Sequence, residues 1–206
     1  MKSLVIVGAG GHGKVIADIA KKTGYEEIIF LDDDPNTQKC GNYLVKGTVG
    51  DAEKYSDYEF VVGIGNCELR EKIQNELELK NFHIVSMIHP SSVIAEDVNI
   101  LPGCVLVAGS VVNSGAVIGK GCIVNTCSSV GHDCKISDFV HVAAGAHVAG
   151  TVEIGKRTWV GAGSTIVNNV TVCEDVLIGA GGVVTKDITE HGTYVGVPVK
   201  KIKSTI

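Results

Sequence analysis

Ile118-Gly-Lys-Gly-Cys-Ile-Val124-Asn-Thr-Cys-Ser-Ser-Val130-Gly-His-Asp-Cys-Lys-Ile136 keeps a beat of six residues. An aliphatic residue opens each unit, and four positions on stands Cys122, Ser128 or Cys134. The beat extends outward in both directions, unbroken from Ile94 to Val184, sixteen aliphatic positions in all. The companion positions, from Val98 to Ile188, are small or β-branched almost throughout. Six is neither the 3.6 of an amphipathic helix nor the alternation of an open sheet. It is the signature of a parallel β-helix built from hexapeptide units.

Three units close one triangular coil of about 18 residues, so the run predicts about five coils, stacked about 4.8 Å apart at ordinary strand spacing. The aliphatic residue points into the prism and the small residue fits its crowded corner. The array is stable only as a stack, because each coil buries its core on its neighbours. Composition agrees: the 206 residues are 45% hydrophobic but only 5% aromatic, as a thin prism requires. The 26 glycines fit a chain with many tight corners.

A net charge of −5 argues against nucleic acid or an anionic membrane as partner. The apolar run Leu4–Val7 is too short for a signal peptide, and no stretch approaches the roughly 18 apolar residues of a membrane span. The expected location is the cytoplasm. Seven cysteines, an odd number with no C-x-x-C pair, read as reduced structural thiols. No His/Cys spacing calls for a metal.

Residues 1–86 follow other rules. Ser3–Val7 is a short apolar strand running into Gly8-Ala-Gly-Gly-His-Gly13. A helical stretch follows over 14–23, with Val15, Ile16, Ile19 and Ala20 on one face. Next come the strand Ile28–Leu31 and the acids Asp32, Asp33 and Asp34. Gly8, Gly10 and Gly13 fit G-x-G-x-x-G between strand and helix, where backbone can approach a phosphate at a helix N-terminus. Glu59–Gly63 reads as a further strand, ending in Gly63-Ile-Gly-Asn66. A helix over 68–80 presents Leu69, Ile73 and Leu77, and Ile84-Val85 closes the unit. The segment 34–50 reads as irregular. The whole is an α/β domain of mononucleotide size, half of a dinucleotide fold. His89-Pro90 marks the transition to residues 87–206, the β-helix and its tail.

Histidine is the natural general base near neutral pH, with an unperturbed pKa near 6.5. The repeats offer His132, His141 and His147. One coil away from His132 lie Ser114 and Gly150, both small, and only His132 is followed by an acid, Asp133. His132 is therefore the candidate base and Asp133 its orienting carboxylate. Neighbouring strand residues face opposite ways, so the pair requires a turn, which Gly131 would allow. In the first domain, Gly65 and Asn66 end a strand on the same sheet edge as the glycine loop.

The glycine loop, Phe30-Leu-Asp-Asp33, Gly63-Ile-Gly-Asn66, Val130-Gly-His-Asp133 and the tail Gly196-Val-Pro-Val-Lys200 together resemble one branch of the left-handed β-helix acyltransferases. That branch comprises nucleotide-amino-sugar N-acetyltransferases and sialic acid O-acetyltransferase-like proteins. The resemblance covers nearly the whole chain. It implies a Rossmann-like nucleotide-binding domain followed by a left-handed β-helix, acetyl-CoA as donor, and a homotrimer with active sites between protomers. By positional match it also places the base at His132. It puts Gly10, Gly11, His12, Asp32 and Asp33 against the sugar nucleotide and Asn125 beside the reacting group. His141, Ala162 and Ala180 fall along coenzyme A. A UDP-linked 4-amino sugar is the expected acceptor, and O-acetylation of a sialic acid or another sugar hydroxyl is the alternative.

Two other classes fit less well. An NAD-dependent oxidoreductase would need a second nucleotide-binding half and would leave the β-helix without purpose. A non-enzymatic β-helix is the other class. Its zinc-bearing version would need histidines converging from adjacent protomers, which His132, His141 and His147 could in principle supply, but they stand at different hexad positions, the third and the sixth.

Overall fold

The computed structural model describes residues 2–202. The first domain is a parallel sheet of β1 (Ser3–Val7), β2 (Glu27–Leu31), and, after a small hairpin, β5 (Glu59–Val62) and β6 (His83–Ile84), in the order β2-β1-β5-β6. The hairpin pairs β3 (Lys39–Cys40) with β4 (Tyr43–Leu44), and a 3-10 helix spans Val49–Tyr55. The segment expected to be irregular thus contains ordered local structure. The helices are α1 (Gly11–Lys22) and α2 (Cys67–Leu79).

Alternation in β1 explains how the sheet is covered. Leu4 and Ile6 pack with Ile16, Ile19 and Ala20 of α1, while Val5 and Val7 pack with Ile73 and Leu77 of α2. A sheet buried on both faces reads as a continuous apolar run, as β1 does. Two residues expected on buried helix faces are exposed, Val15 at 37% and Leu69 at 45%. Ala17 takes the inward place on α1, and Arg70 and Gln74 turn inward on α2.

The second domain is a three-sided parallel β-helix. Face 1 carries strands at Met87–Ile88, Val105–Leu106, Ile123–Val124, His141–Val142, Trp159–Val160 and Val176–Ile178. Face 2 runs from Val93–Ile94 to Val183–Val184, and face 3 from Asn99–Ile100 to Thr171–Val172. The register is 18 throughout, as in Val105↔Ile123 and Ile123↔His141. The aliphatic column and the companion residues, from Cys104 to Ile188, form one continuous core. The first strand, Met87–Ile88, lies one unit before the expected start. Ile88 keeps the register with Ser92, and Pro90 sits at the corner between them, so the proline does not mark the start of the coils.

The left-handed residue of each corner is the third after the aliphatic, one before the small position. Half of these residues, from Gly103 to Gly181, are not glycine: Cys127, Asp133, Phe139, Thr151, Arg157, Asn169 and Asp175 all have φ near +55°. Corner geometry therefore does not account for the glycine content by itself. The coil ladder holds side-chain-bearing residues in a conformation that costs roughly 1–2 kcal/mol each.

After face 1 ends, the chain returns as a strand at Gly192–Gly196, parallel to Val176–Ile178, and folds back as Val199–Lys201. Between the domains, the α1 side of the sheet packs on face 1 through Met87, Val105 and Val107. Among the described residues no helix is long and apolar enough to cross a membrane.

Candidate active site

His132 stands on the corner between faces 2 and 3. Asp133 has φ +57°, so the chain turns at the acid itself and not at Gly131. That turn brings both side chains to one side: His132 Nδ1 lies 2.7 Å from Asp133 Oδ2. The two are about equally open, with side chains 65% and 66% exposed. Glycines make the room. A Cβ at Gly150 would stand 2.4 Å from His132 Nε2, and one at Gly115 would stand 2.5 Å from Asp133 Oδ1. With Nδ1–H donating to the carboxylate, the Nε2 lone pair is left outward and free to accept a proton.

The glycine loop lies at the carboxyl end of β1, beside those of β2 and β5. Gly8 has φ +106°, and a Cβ there would meet the Ile64 side chain at 2.7 Å. A Cβ at Gly13 would strike the Gly8 carbonyl at 2.2 Å, so helix and strand approach only because it is glycine. Gly10 and Gly11 face open space, and the N-terminus of α1 carries no side-chain cap. Its amide donors are therefore available to an anion. Asp32 fastens this loop: Oδ2 accepts from the Ala9 N–H at 2.6 Å and Oδ1 from the Asp34 N–H at 2.9 Å. Asp33 accepts from the Val49 N–H at 2.9 Å. Asp34 forms a turn with Asn36 and Thr37, which hold its carboxyl below the usual range. Each carboxylate keeps lone pairs for further donors. Asn66 caps α2 through the Leu69 N–H at 2.9 Å.

Where the two domains meet, His141 lies on face 1 against Trp159, ring centroids 4.3 Å apart, and its Nε2 is 3.2 Å from Asn125 Nδ2. The left-handed residue of that corner is Cys127, so Asn125 is not there for backbone tolerance. Gly65 packs on Trp159, where a Cβ would lie 3.9 Å from the indole. Desolvation, then the charge of Arg70, drives His12 down to about 4. Desolvation, then Arg70 and His12, drives His141 down to about 3. His12 Nε2 and His141 Nδ1 have no hydrogen-bond partner among the described residues. Both rings are neutral near pH 7. His147 bonds Ser129 Oγ at 2.9 Å on face 2, apart from this group.

Ala162 and Ala180 are exposed on the corner between faces 1 and 2, stacked one coil apart through Gly181 N–H to the Ala162 carbonyl at 2.8 Å. Gly163 and Gly181 beside them have open space where a Cβ would be. This gives a smooth track alongside His141 and Asn125. One chain thus gathers His12, Gly65, Asn125, His141 and the track on one side. It holds His132 and Asp133 across the width of face 2.

Sequence reasoning passed over Arg70, which is buried, and named Trp159 only as the packing neighbour of His141, one coil away. A charged residue in a polar helix reads as solvated, and the sequence signal for Trp159 was its place in the column of His141. Among the described residues no cluster of three or more His, Cys, Asp or Glu could hold a metal ion.

Residues 3–77 match the PglD N-terminal domain family. The chain is similar over 98% of its length to the acetyltransferase domain of PglB from Neisseria gonorrhoeae FA1090 in complex with acetyl coenzyme A. That match covers 99% of the PglB chain at 35% identity and a TM-score of 0.94. PerB from Caulobacter crescentus, in complex with CoA and GDP-perosamine, matches over 98% of both chains at 31% identity and a TM-score of 0.90. The UDP-N-acetylbacillosamine N-acetyltransferase of Bacillus subtilis (strain 168) is 31% identical over 113 residues, 52% of either chain. The fold is that of a left-handed β-helix acyltransferase with a small parallel α/β domain at its N-terminus. Within that class, the chain belongs to the acetyl-CoA-dependent, hexapeptide-repeat sugar N-acetyltransferases.

Proposed function

We propose that the protein moves the acetyl group of acetyl-CoA to the amine of a nucleotide-linked amino sugar, with His132 as general base. The His132–Asp133 pair carries this reading: an open imidazole, its Nδ1 engaged by a carboxylate at 2.7 Å and its Nε2 free. The amine attacks the thioester carbonyl, His132 Nε2 takes its proton and passes it to the sulfur as the carbonyl carbon–sulfur bond breaks, so that coenzyme A leaves as the thiol and His132 is neutral again. Asp133 orients the ring and stabilises the imidazolium. Residues 1–86 hold the nucleotide through Gly10, Gly11, His12 and Asp32–Asp33, with Gly65 and Asn66 toward the sugar. The domain from residue 87 holds the donor along His141, Ala162 and Ala180, with Asn125 beside the reacting group. Residues 203–206 of that expected domain lie outside the described residues.

The separation of His132 from the track and the glycine loop supports a homotrimer in which one copy's His132 faces the other elements of a neighbour. Light scattering should give three times the 21.5 kDa chain mass. We place the enzyme in the cytoplasm, where acetyl-CoA and nucleotide sugars are made. The free thiols suit a reducing compartment.

The favoured acceptor is a UDP-linked 4-amino sugar, in line with the name of the Bacillus relative. The full-length similarity to PerB, bound to GDP-perosamine, favours a GDP-linked one as the second reading. Mass spectrometry after incubation with acetyl-CoA and a panel of UDP- and GDP-amino sugars, CMP-sialic acid and free sialic acid decides. One added acetyl on an amino sugar is the expected result. Acetylation of a sialic acid alone would overturn the amine reading.

A further inference from the structure

Arg70 is the largest fully buried side chain among the described residues. No carboxylate lies within ion-pair distance of it there. Its guanidinium instead donates to four main-chain carbonyls in three segments. Nε reaches the Gly121 carbonyl at 2.7 Å and Nη2 the Phe139 carbonyl at 2.8 Å. Nη1 reaches those of Ile64 and Gly65, both at 2.8 Å. Positions 121 and 139 are the left-handed residues of successive coils on the corner between faces 3 and 1. Ile64 and Gly65 form the loop that leaves β5. The planar fork therefore ties one loop of the nucleotide domain to two rungs of the β-helix.

The rest of α2 follows the same corner. Glu71 pairs with Arg157 at 3.0 Å, further along the stack. Gln74 donates to the Pro102 carbonyl at 3.3 Å, one rung earlier in the stack, and Asn75 and Glu78 receive Lys120 Nζ at 2.9 and 2.8 Å on the rung of Gly121. These positions form a helical stripe, polar along its length, laid against corners at a fixed pitch. An apolar seam would adhere equally well, because a buried charge is costly and is often replaceable by a well-packed apolar residue. What the fork adds is direction: four charge-assisted bonds in one plane admit a single orientation.

We propose that Arg70 is a positioning residue for acetyl transfer: it sets the height of the Ile64–Asn66 loop on the coils, and with it the placement of the acceptor amine against the acetyl donor. This rests on the acetyltransferase reading above. The glycine loop that grips the nucleotide accepts none of these four bonds from Arg70 and meets the clamped loop by packing, Ile64 against Gly8, so loss of the fork should cost placement more than binding. A displacement of about 1 Å far from the chemistry can cost about a hundredfold in rate.

The test uses the full chain with Arg70→Met and Arg70→Lys. Steady-state kinetics would be run on the acetylated amino sugar, with calorimetry of UDP and GDP and hydrogen–deuterium exchange on the unliganded protein. In folded Arg70→Met, kcat should fall roughly 10- to 100-fold, with nucleotide affinity within about threefold and faster exchange over 64–66. Arg70→Lys keeps the charge but not the fork, and should fall between. If Arg70→Met does not fold, the lysine variant carries the test. Turnover within twofold of the parent, or equal losses of turnover and nucleotide affinity, would overturn the proposal. If the parent acetylates no amino sugar, the functional reading fails by itself. The exchange result then decides the clamp: a loosened 64–66 loop supports it, and an unchanged loop sinks it.

Discussion

The corner between faces 2 and 3 and the seam between the domains treat histidine in opposite ways. At the corner, His132 is open to solvent and bonded to a carboxylate. At the seam, half-buried His12 and buried His141 lie beside the cation of Arg70, driven to about 4 and about 3, each with one ring nitrogen unpartnered among the described residues. Proton exchange needs the first environment, where imidazolium has water on one side and an anion on the other. The second environment penalises the imidazolium twice, by desolvation and by like charge. Near neutral pH the seam histidines can shape and hydrogen-bond a ligand, but they do not carry protons. On the proposed roles, burial and like charge together separate recognition from acid–base work with one residue type.

The sharpest break of this contrast is His132→Ala. Turnover should fall by the 10² to 10⁴ or so that a general base contributes, with little change in the KM of acetyl-CoA, measured by steady-state kinetics. A His141→Ala enzyme that lost the acidic limb of the rate profile, while His132→Ala kept it, would reverse the assignment.

The seam makes its own claim on stability. His12 and His141 have folded pKa values below the 6.5 of the unfolded chain. Between about pH 6.5 and pH 4 the unfolded state binds more protons, so stability is fullest above 6.5 and falls as pH drops. The loss by pH 4 should be on the order of 3 kcal/mol from each group, about 6 kcal/mol from the two together. Urea unfolding at pH 7 and pH 4.5 measures it. His141→Asn should flatten the slope, and a slope insensitive to His141 would refute the account.

Legibility in the sequence follows the same divide. The coils were readable because every sixth residue faces the same core, so each strand repeats the information of the last. Even there, Pro90 hid the strand at Ile88, and glycine was credited with corners that Asp133 and Arg157 occupy with φ near +57°. His132 stood out because a histidine followed by an acid breaks the pattern without breaking the period. At the seam nothing repeats. Arg70 and Gln74 each sit one place after an apolar position, Leu69 and Ile73, in a charged helix, and only the tertiary contact shows that they face inward. The apolar pattern assigned Leu69 to the buried face because spacing alone cannot tell a helix edge from its centre.

A finer test of the corner leaves its chemistry in place. Gly150 has no left-handed backbone requirement, so alanine there is conformationally allowed, but its Cβ would stand 2.4 Å from His132 Nε2. The ring must swing away while Asp133 stays. Gly150→Ala should lower turnover roughly tenfold to a hundredfold, the scale of a small misplacement, with the melting temperature nearly unchanged. Full activity would mean that the ring reaches its working position without lying over Gly150.

The smallest expected effect belongs to Asp32, and it probes recognition without touching a histidine. Its two oxygens each accept one backbone N–H, from Ala9 and from Asp34. Asparagine would present an NH₂ to one of those donors and keep only one bond, loosening the glycine loop that carries His12. A hydrogen bond to a charged group is worth about 1.5–3 kcal/mol, but an exposed turn recovers part of that through water. Nucleotide affinity, measured by calorimetry with UDP and GDP, should therefore weaken about three- to tenfold in Asp32→Asn. With acceptor saturating, kcat should stay close to the parent, since His132 and the donor track lie on other coils. A fall in kcat with unchanged affinity would mean that the loop positions the reacting sugar, and the division between an open corner that reacts and a buried seam that recognises would have to be redrawn.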